Sequence, residues 1–468
     1  MQFFYRAATT VAVCFFLFYV LMTSQGCANI VPPTGGAKDS LPPNLIRSTP
    51  LDSANNVRTQ KIILEFDEYI NIDNVQQNLV VSPFPVKSPV VSSKFKTITI
   101  TLKDSLEINT TYALDFGNAI KDVNEGNVFK NFTYVFSTGN TLSNGMLGGK
   151  VLLAQTGKAD STLIVVLHPN LNDTAVIKNR PRYIAKIDGN GNFMFHHLPE
   201  ETFNVFVLPD DYSKKYDDST KVFAFNNTPV TISDSVQSLN LLAFQQVLRT
   251  VKPPGTSAQQ KNNNTKKDED KRLKYTTNIQ TPIDYFDTVK LVFNRPIQTF
   301  DAAKFLLTDT SFNKINNYKV ELDSNQVYLT HAWPLQQSFN LIIIKDAIAD
   351  SSGTSLLKND TLNISTRGEK DYGSIKLRFM NIDISKNPVL QLVQNDVVVE
   401  AAALTNNTFQ RKLFIPGEYE IRILYDDNKN GKWDTGNYFL KQQPEKVITL
   451  QRKINIRANW DNESDVTL

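Results

Sequence analysis

The sharpest chemical pattern in the chain runs from Asp426 to Asp434 (DDNKNGKWD). Oxygen-bearing side chains alternate at Asp426, Asn428 and Asn430, and Gly431 permits a sharp turn. The Lys432 carbonyl stands at the seventh place and Asp434 at the ninth, the ligand order of a calcium-binding loop. The twelfth place holds Asn437 where a bidentate Glu would complete the shell, so any calcium affinity is weak. The alternative is a polar β-turn in which Asn and Asp side chains bond their own backbone. The corresponding first-half segment, Asp210–Asp218 (DDYSKKYDD), lacks both the glycine and the Asn ladder and predicts no ion site.

Catalytic sets are hard to assemble. The four histidines are His168, His196, His197 and His331. Adjacent residues on a strand point to opposite faces, so His196 and His197 make a poor chelating pair. The chain has no Gly-x-Ser-x-Gly elbow, His-Glu-x-x-His helix or phosphate-binding glycine loop. Asp67 and Glu68 are expected on a strand, facing solvent. Glycoside hydrolysis needs two carboxyls across a cleft, and a pair brought together by folding stays open. The expectation is a protein that is not an enzyme and has no cofactor beyond the possible calcium. With 50 basic and 47 acidic residues, the chain lacks the basic excess that nucleic-acid partners usually require.

The amino terminus explains the cysteines. Arg6 is followed by Ala7–Met22 without a charge, most apolar over Val11–Leu21 (VAVCFFLFYVL). A positive start, a short apolar run and small residues before a break describe a secretory signal, and the run is short for a membrane span of about 20 residues. Ser24-Gln25-Gly26-Cys27 places a glycine directly before a cysteine. This arrangement resembles a lipobox, although Ser24 stands where Leu is usual. The resemblance implies a signal peptide over 1–26 and a diacylated Cys27, stably anchored because each buried methylene contributes about 0.8 kcal/mol. An uncleaved apolar helix or a soluble secreted protein is the alternative. Cys14 lies in the removed segment, so the mature body has no thiol for a disulfide, a nucleophile or a metal site.

The remainder reads as all-β, a row of β-sandwich domains in which a two-domain unit is used twice. Residues 27–43, rich in Pro and Gly, form a lipidated tether. Pro-Pro-Thr-Gly-Gly, then Lys-Asp and Pro-Pro, looks like the start of many outer-membrane lipoproteins of the Bacteroidota. The acidic cluster common in their surface-exported members is missing, which leaves the periplasmic and cell-surface sides both open. Over 44–140, Lys61–Ile70 and Thr97–Leu102 alternate as half-buried strands do. There, "STPLDSANN", "KIILEFDEYI", "LEINTTYALDFGNAIKDVNEGN" and "FTYVFSTG" resemble the bacterial Ig-like domain first described in S-layer proteins. Over 141–247, Leu163–Leu167, Tyr183–Ile187, the turn Asp188-Gly189-Asn190-Gly191, Asn192–His196 and Phe203–Leu208 read as a meander. That segment resembles the transthyretin-like or Cna-B-like sandwich. The polar tract within 248–275 cannot bury enough apolar surface to order itself and reads as a linker; a charged helix over Lys266–Leu273 is the alternative.

After the linker the order returns, with a degenerate Ig-like domain at 276–368, a second transthyretin-like domain at 369–460 and a tail at 461–468. Val289–Ile297 parallels Lys61–Ile70, Asp346–Asp350 with Gly353 parallels Asn118–Asp122 with Gly126, and "FIPGEYEIRILYDD" parallels "HLPEETFNVFVLPDD". The 29 Phe and 16 Tyr suit strand cores. Asp-Ser/Thr followed by an apolar residue or Thr places candidates at Ser40, Ser53, Ser105, Ser161, Thr174, Ser219, Ser235, Thr288 and Thr361. These look like the O-glycosylation acceptors of exported Bacteroidota proteins. The expected role is a lipid-anchored envelope interaction or scaffold protein, an accessory subunit of an outer-membrane complex. Its expected partners are the membrane, through the lipid, and outer-membrane or envelope proteins, with no nucleic acid. A glycan- or ligand-binding lipoprotein of an uptake system is the second reading, for which Trp333, Trp433 and Trp460 are the residues to inspect.

Overall fold

A computed structural model describes residues 2–23, 38–233, 237–246 and 272–468. Cys27, Ser235 and the polar tract before Arg272 lie outside the described residues. Gln2–Thr23 is helical, and no helix among the described residues is long and apolar enough to cross a membrane. The chain divides into two compact units, one running to Leu142 and the other from Ser143 on, with Ser82–Phe84 grouped with the second.

In the first unit, a four-stranded sheet has the order Leu45–Thr49, Lys61–Phe66, Thr97–Thr101, Val90–Lys94. Lys61–Phe66 alternates because its even positions face inward: Ile62, Leu64 and Phe66 are buried, and Ile62 and Leu64 stand opposite Ile100 and Ile98. The facing pair Thr111–Asp115 and Thr133–Ser137 supplies Tyr112, Leu114, Tyr134 and Phe136 to the same core. Each such fully buried side chain contributes about 1.5–3 kcal/mol. Asp67 and Glu68 fall in a bend between Lys61–Phe66 and Ile70–Ile72 instead of on a strand, because the Asp67 carboxylate accepts from Asn44 and turns the chain there. The Asp122 carboxylate closes the later turn by accepting from the N–H groups of Glu125, Gly126 and Asn127 at 2.6, 2.8 and 2.7 Å. Gly126 takes φ +78° in that turn.

From Arg272 on, the second unit repeats this sheet order. Tyr275–Thr277, Val289–Phe293, Gln326–His331 and Tyr318–Asp323 form the four-stranded sheet, and Ile297–Phe300 pairs with Ile348–Asp350 as Ile70–Ile72 pairs with Ile120–Asp122. Asp350 repeats the role of Asp122, accepting from Ser352 and Thr354, and Gly353 again has φ +78°. The expected linker end at 275 is corrected: Leu273 is buried in this core and Tyr275 already stands opposite Phe293.

The two segments expected to be transthyretin-like share a topology that is not a simple meander, and this too is a correction. Gly145–Leu153 pairs antiparallel with Asn192–Leu198 and parallel with Gln237–Gln245. Leu163–His168 sits between Tyr183–Lys186 and Thr202–Pro209. Asp188 accepts from Asn190 and Asn192 to make the expected tight turn, but the strands it joins, Tyr183–Lys186 and Asn192–Leu198, stand at opposite ends of one continuous run of paired strands and do not pair with each other.

In the second copy, Gly373–Met380 pairs with Thr408–Phe414 and, in parallel, with Asp461–Thr467. Residues 461–468 are therefore no tail, since Val466 is buried in the core and the strand's main chain is committed to Gly373–Met380. The remaining sheet has the order Val397–Ala403, Pro388–Gln394, Gly417–Tyr425, Val447–Thr449.

Candidate functional site

The strand Gly417–Tyr425 ends at the Asp426–Asp434 pattern, which folds as a closed turn. Asp426, only 2% exposed, accepts from the N–H groups of Asn430 and Gly431 at 3.2 and 2.6 Å. The side-chain oxygens of Asn428 and Asn430 accept from the N–H groups of Asn430 and Lys432, while both amide nitrogens donate to Asp434. A residue further along closes the turn: Glu445 is buried and accepts from the N–H groups of Asp427 and Asp434, each at 2.9 Å. Burial pushes the Glu445 carboxyl up, the two N–H bonds oppose that, and the charges of Asp426 and Asp434 add to it. Lys432 is exposed. Among the described residues no group of three or more His, Cys, Asp or Glu could hold a metal ion. As arranged, the loop spends its carboxylates on N–H donors, the polar-turn alternative, and a bound ion would have to displace the Asn amides from Asp434.

The loop's work lies beyond Asp434. Residues 435–449 reach across to the sandwich built from residues 145–245. Tyr438 is 1% exposed and sits among Phe206, Phe223 and Phe225, with ring centroids 5.8, 5.1 and 5.1 Å away. Tyr216, from the Asp210–Asp218 segment, completes the socket. The Tyr438 hydroxyl donates to the Asp173 carbonyl at 2.8 Å, and Lys441 bonds the Asp173 carboxylate while lying 4.3 Å from the Tyr438 ring. Thr435 donates to the Gln245 carbonyl at 2.6 Å, and Gln443 to the Phe225 carbonyl at 3.0 Å. Gly436 is close-packed, since a Cβ there would come within 2.7 Å of the Phe244 ring. The Val447 N–H and the Thr449 hydroxyl bond the carbonyls of Ala154 and Thr156.

An ion network flanks the aromatic plug. Lys158 contacts Glu420 at 2.9 Å and Asp396 at 3.2 Å, and the buried Arg422 contacts Glu420 at 2.6 Å. The hydrogen bond to Glu420 holds the Lys158 ammonium above its usual range. For Glu420 burial works upward, but the bonds from Lys158 and Arg422 outweigh it and keep the carboxyl low. A pair shielded on one side resists solvent screening better than one fully in water.

The other anticipated residues are scattered. Ser40, Ser53, Ser105, Ser161, Ser219 and Thr361 are exposed, whereas Thr174 and Thr288 are half-buried, with the Thr174 hydroxyl held by Asn172. His168 is buried, and its Nε2 has no hydrogen-bond partner among the described residues. His196 and His197 lie side by side with ring centroids 6.3 Å apart, and His331 packs on Trp333 and Phe339. Of the tryptophans, Trp333 is buried, Trp433 is half-buried against the docking plug, and Trp460 is 61% exposed. Sequence reasoning missed Tyr438 and Glu445. The available signal was a Tyr-Phe pair inside an otherwise polar loop (TGNYFLKQQP).

The fold defines a chain of tandem β-sandwich domains of Ig-like type. Residues 39–138 match the bacterial Ig-like domain family, which indicates no catalytic class. Among solved structures, the chain is similar to the major pilin subunit BcpA of Bacillus cereus at 12% identity, over 69% of this chain and 99% of that one, with a TM-score of 0.17. It is similar to the TIE protein of Bacillus anthracis at 11% identity, covering 93% of this chain and 75% of that one, with a TM-score of 0.18. The N-terminal part of the bacterial S-layer protein SbsC aligns at 15% identity over 44% of each chain, with a TM-score of 0.16. These values transfer no activity or partner to this chain. Among curated proteins, none matches it.

Proposed function

We propose that this chain is a cell-envelope interaction or scaffold protein, anchored by lipid on Cys27 and serving as an accessory subunit of an outer-membrane protein complex. The observation that carries the reading is the use of the chain's most chemistry-like loop: residues 426–449 dock one sandwich domain on another through Tyr438 and its socket. The Gly26-Cys27 pattern after an apolar run supports the anchor, and exposed sheet edges offer the backbone that β-augmentation needs. The test is crosslinking of the native protein in outer membranes with mass spectrometry of what co-purifies. A stoichiometric membrane-protein partner is expected; recovery of the chain alone, across several crosslinker lengths, refutes the subunit role.

A second reading, glycan binding, has one specific observation behind it. Trp460 stands beside Arg457 (5.4 Å from its ring) at a groove of about 420 Å³ that also presents Asn455, Asn462 and Asp461. A sugar could stack on such an aromatic face and bond the amides. Glycan-array binding that Trp460→Ala abolishes supports it, and a blank array refutes it.

A further inference from the structure

Natural sheets protect their edges against a further strand with charges, prolines or short length. Several edges here do so. Val90–Lys94 ends in Lys94, Tyr318–Asp323 carries Lys319, Glu321 and Asp323, and Asp461–Thr467 carries Asp461, Glu463 and Asp465. The edge strand Val397–Ala403 (VVVEAAA) has a single charge, Glu400, and that charge is paired with Arg411. The strand pairs with Pro388–Gln394 on one side, and among the described residues no strand pairs with the other. Val397, Val398 and Val399 are 62%, 42% and 48% exposed, three consecutive apolar side chains left open among the described residues.

Val399 also lines a cleft of about 220 Å³ where the second Ig-like domain meets the second transthyretin-like domain. Phe286 and Ile415 give it an apolar wall, and Asp284 and Asp287 give it negative charge. Asp284 is 7% exposed, and its carboxylate accepts only the Phe286 N–H among the described hydrogen bonds; Asp287 accepts the N–H of Asp284. Among the described residues Arg411 is the one cation lining the cleft, and Glu400 and the Phe286 ring, 5.0 Å away, already hold it. Among those residues Asp284 and Asp287 therefore line the cleft without a paired cation. The Tyr419 hydroxyl on its floor is raised first by burial and then by the Asp284 charge.

We propose that Val397–Ala403 accepts an extended segment of a partner protein as an added strand, and that this segment carries a Lys or Arg entering the Asp284–Asp287 cleft. The methylenes of such a side chain lie along Phe286 and Ile415 while the charged tip meets the carboxylates, the arrangement long basic side chains favour. Main-chain bonds to the open edge supply affinity, and the cleft supplies choice of residue. Charge decides against a second copy as occupant. A two-fold interface brings the same patch to itself, so uncompensated carboxylates would face one another. The inference rests on the interaction-protein reading and names the edge and the partner chemistry within it.

The test uses the full chain and a fluorescein-labelled heptapeptide, Thr-Val-Thr-Lys-Thr-Val-Thr, read by anisotropy, with a control peptide in which Glu replaces Lys. The Lys peptide is expected to bind saturably and the Glu peptide about tenfold or more weaker. The double variant Asp284→Asn with Asp287→Asn should remove that difference. Val399→Lys should abolish binding, because its own ammonium reaches the carboxylates and charges the edge, while circular dichroism and Tm stay those of the parent. Equal binding of both peptides, binding that survives Val399→Lys, or no binding at all overturns the proposal. So does a concentration-dependent dimer that Val399→Lys dissolves, which assigns the edge to a second copy. If membrane crosslinking still yields a partner with Val399→Lys, the interaction role stands and only the assignment of this edge falls.

Discussion

Replacing Tyr438 by Ala should detach the 435–449 loop from the sandwich built from residues 145–245. The change empties an aromatic socket formed by Phe206, Tyr216, Phe223 and Phe225. Truncating a buried aromatic to Ala costs about 3–5 kcal/mol. Removal of the hydroxyl also leaves the Asp173 carbonyl without its donor at 2.8 Å, about 1 kcal/mol more. Lys441, 4.3 Å from the ring, loses a cation–π partner in the same step. The total, centred on about 5 kcal/mol, is roughly five-thousandfold in the docking equilibrium. Tyr438→Phe keeps the ring and should lose only the hydroxyl share, about 1 kcal/mol. The assay is hydrogen exchange of the 435–449 amides together with limited proteolysis of that loop. Tyr438→Ala is expected to expose Val447 and its neighbours to exchange and to open the loop to cleavage, with Tyr438→Phe close to the parent. Equal protection in Ala and parent proteins would show that the aromatic plug does not hold the domains together, and the reasoning would fail.

Four further outcomes follow from particular residues. Burial pushes His168 down to about 4, so the unfolded chain binds its proton more readily than the folded one between about pH 6.5 and 4. Stability should be unaffected by this group above pH 6.5 and fall by about 3 kcal/mol in total as pH drops to 4; a His168→Leu variant with the same acid-induced loss in urea unfolding would refute it. Gly353 has φ +78° with open space around its missing Cβ, so Gly353→Ala should cost only the backbone term, about 1–2 kcal/mol. Gly436→Ala should instead open the docking loop through its clash with Phe244, and a Tm and exchange pattern equal to the parent would contradict that. Calcium addition and chelation should leave the Tm within about 1 °C if Asp426, Asp434 and Glu445 stay committed to N–H donors; a calcium-dependent rise would restore the metal reading.

Strand identity was legible because the signal is local. Ile62, Leu64 and Phe66 announce a half-buried strand from three alternate positions, and the Asp122–Gly126 and Asp350–Gly353 turns repeat a pattern of residue types at fixed spacing. Pairing was less legible. Asn192–Leu198 and Thr202–Pro209 are consecutive in sequence yet lie in different parts of the sandwich, and nothing in their composition says which neighbour each will choose. The strand Asp461–Thr467 was invisible for a related reason: with alternating acids and a single buried Val466, its pattern is that of a solvated tail, and only the parallel partner Gly373–Met380 makes it a strand. The docking loop was half legible. Its turn stood out because Asn, Asp and Gly have strong local preferences, whereas the role of Tyr438 depends on a socket assembled from residues 206–225 of another domain. Glu445 escaped notice because it completes the turn from eleven positions beyond Asp434.

The distance along the chain between socket and plug has a consequence for biogenesis. Phe206, Tyr216, Phe223 and Phe225 are all made roughly two hundred residues before Tyr438 arrives to cover them. Until then the sandwich built from residues 145–245 presents an uncovered aromatic hollow to its surroundings. A holding factor that favours exposed aromatics would find its target during that interval, and would be released by the arrival of the protein's own loop.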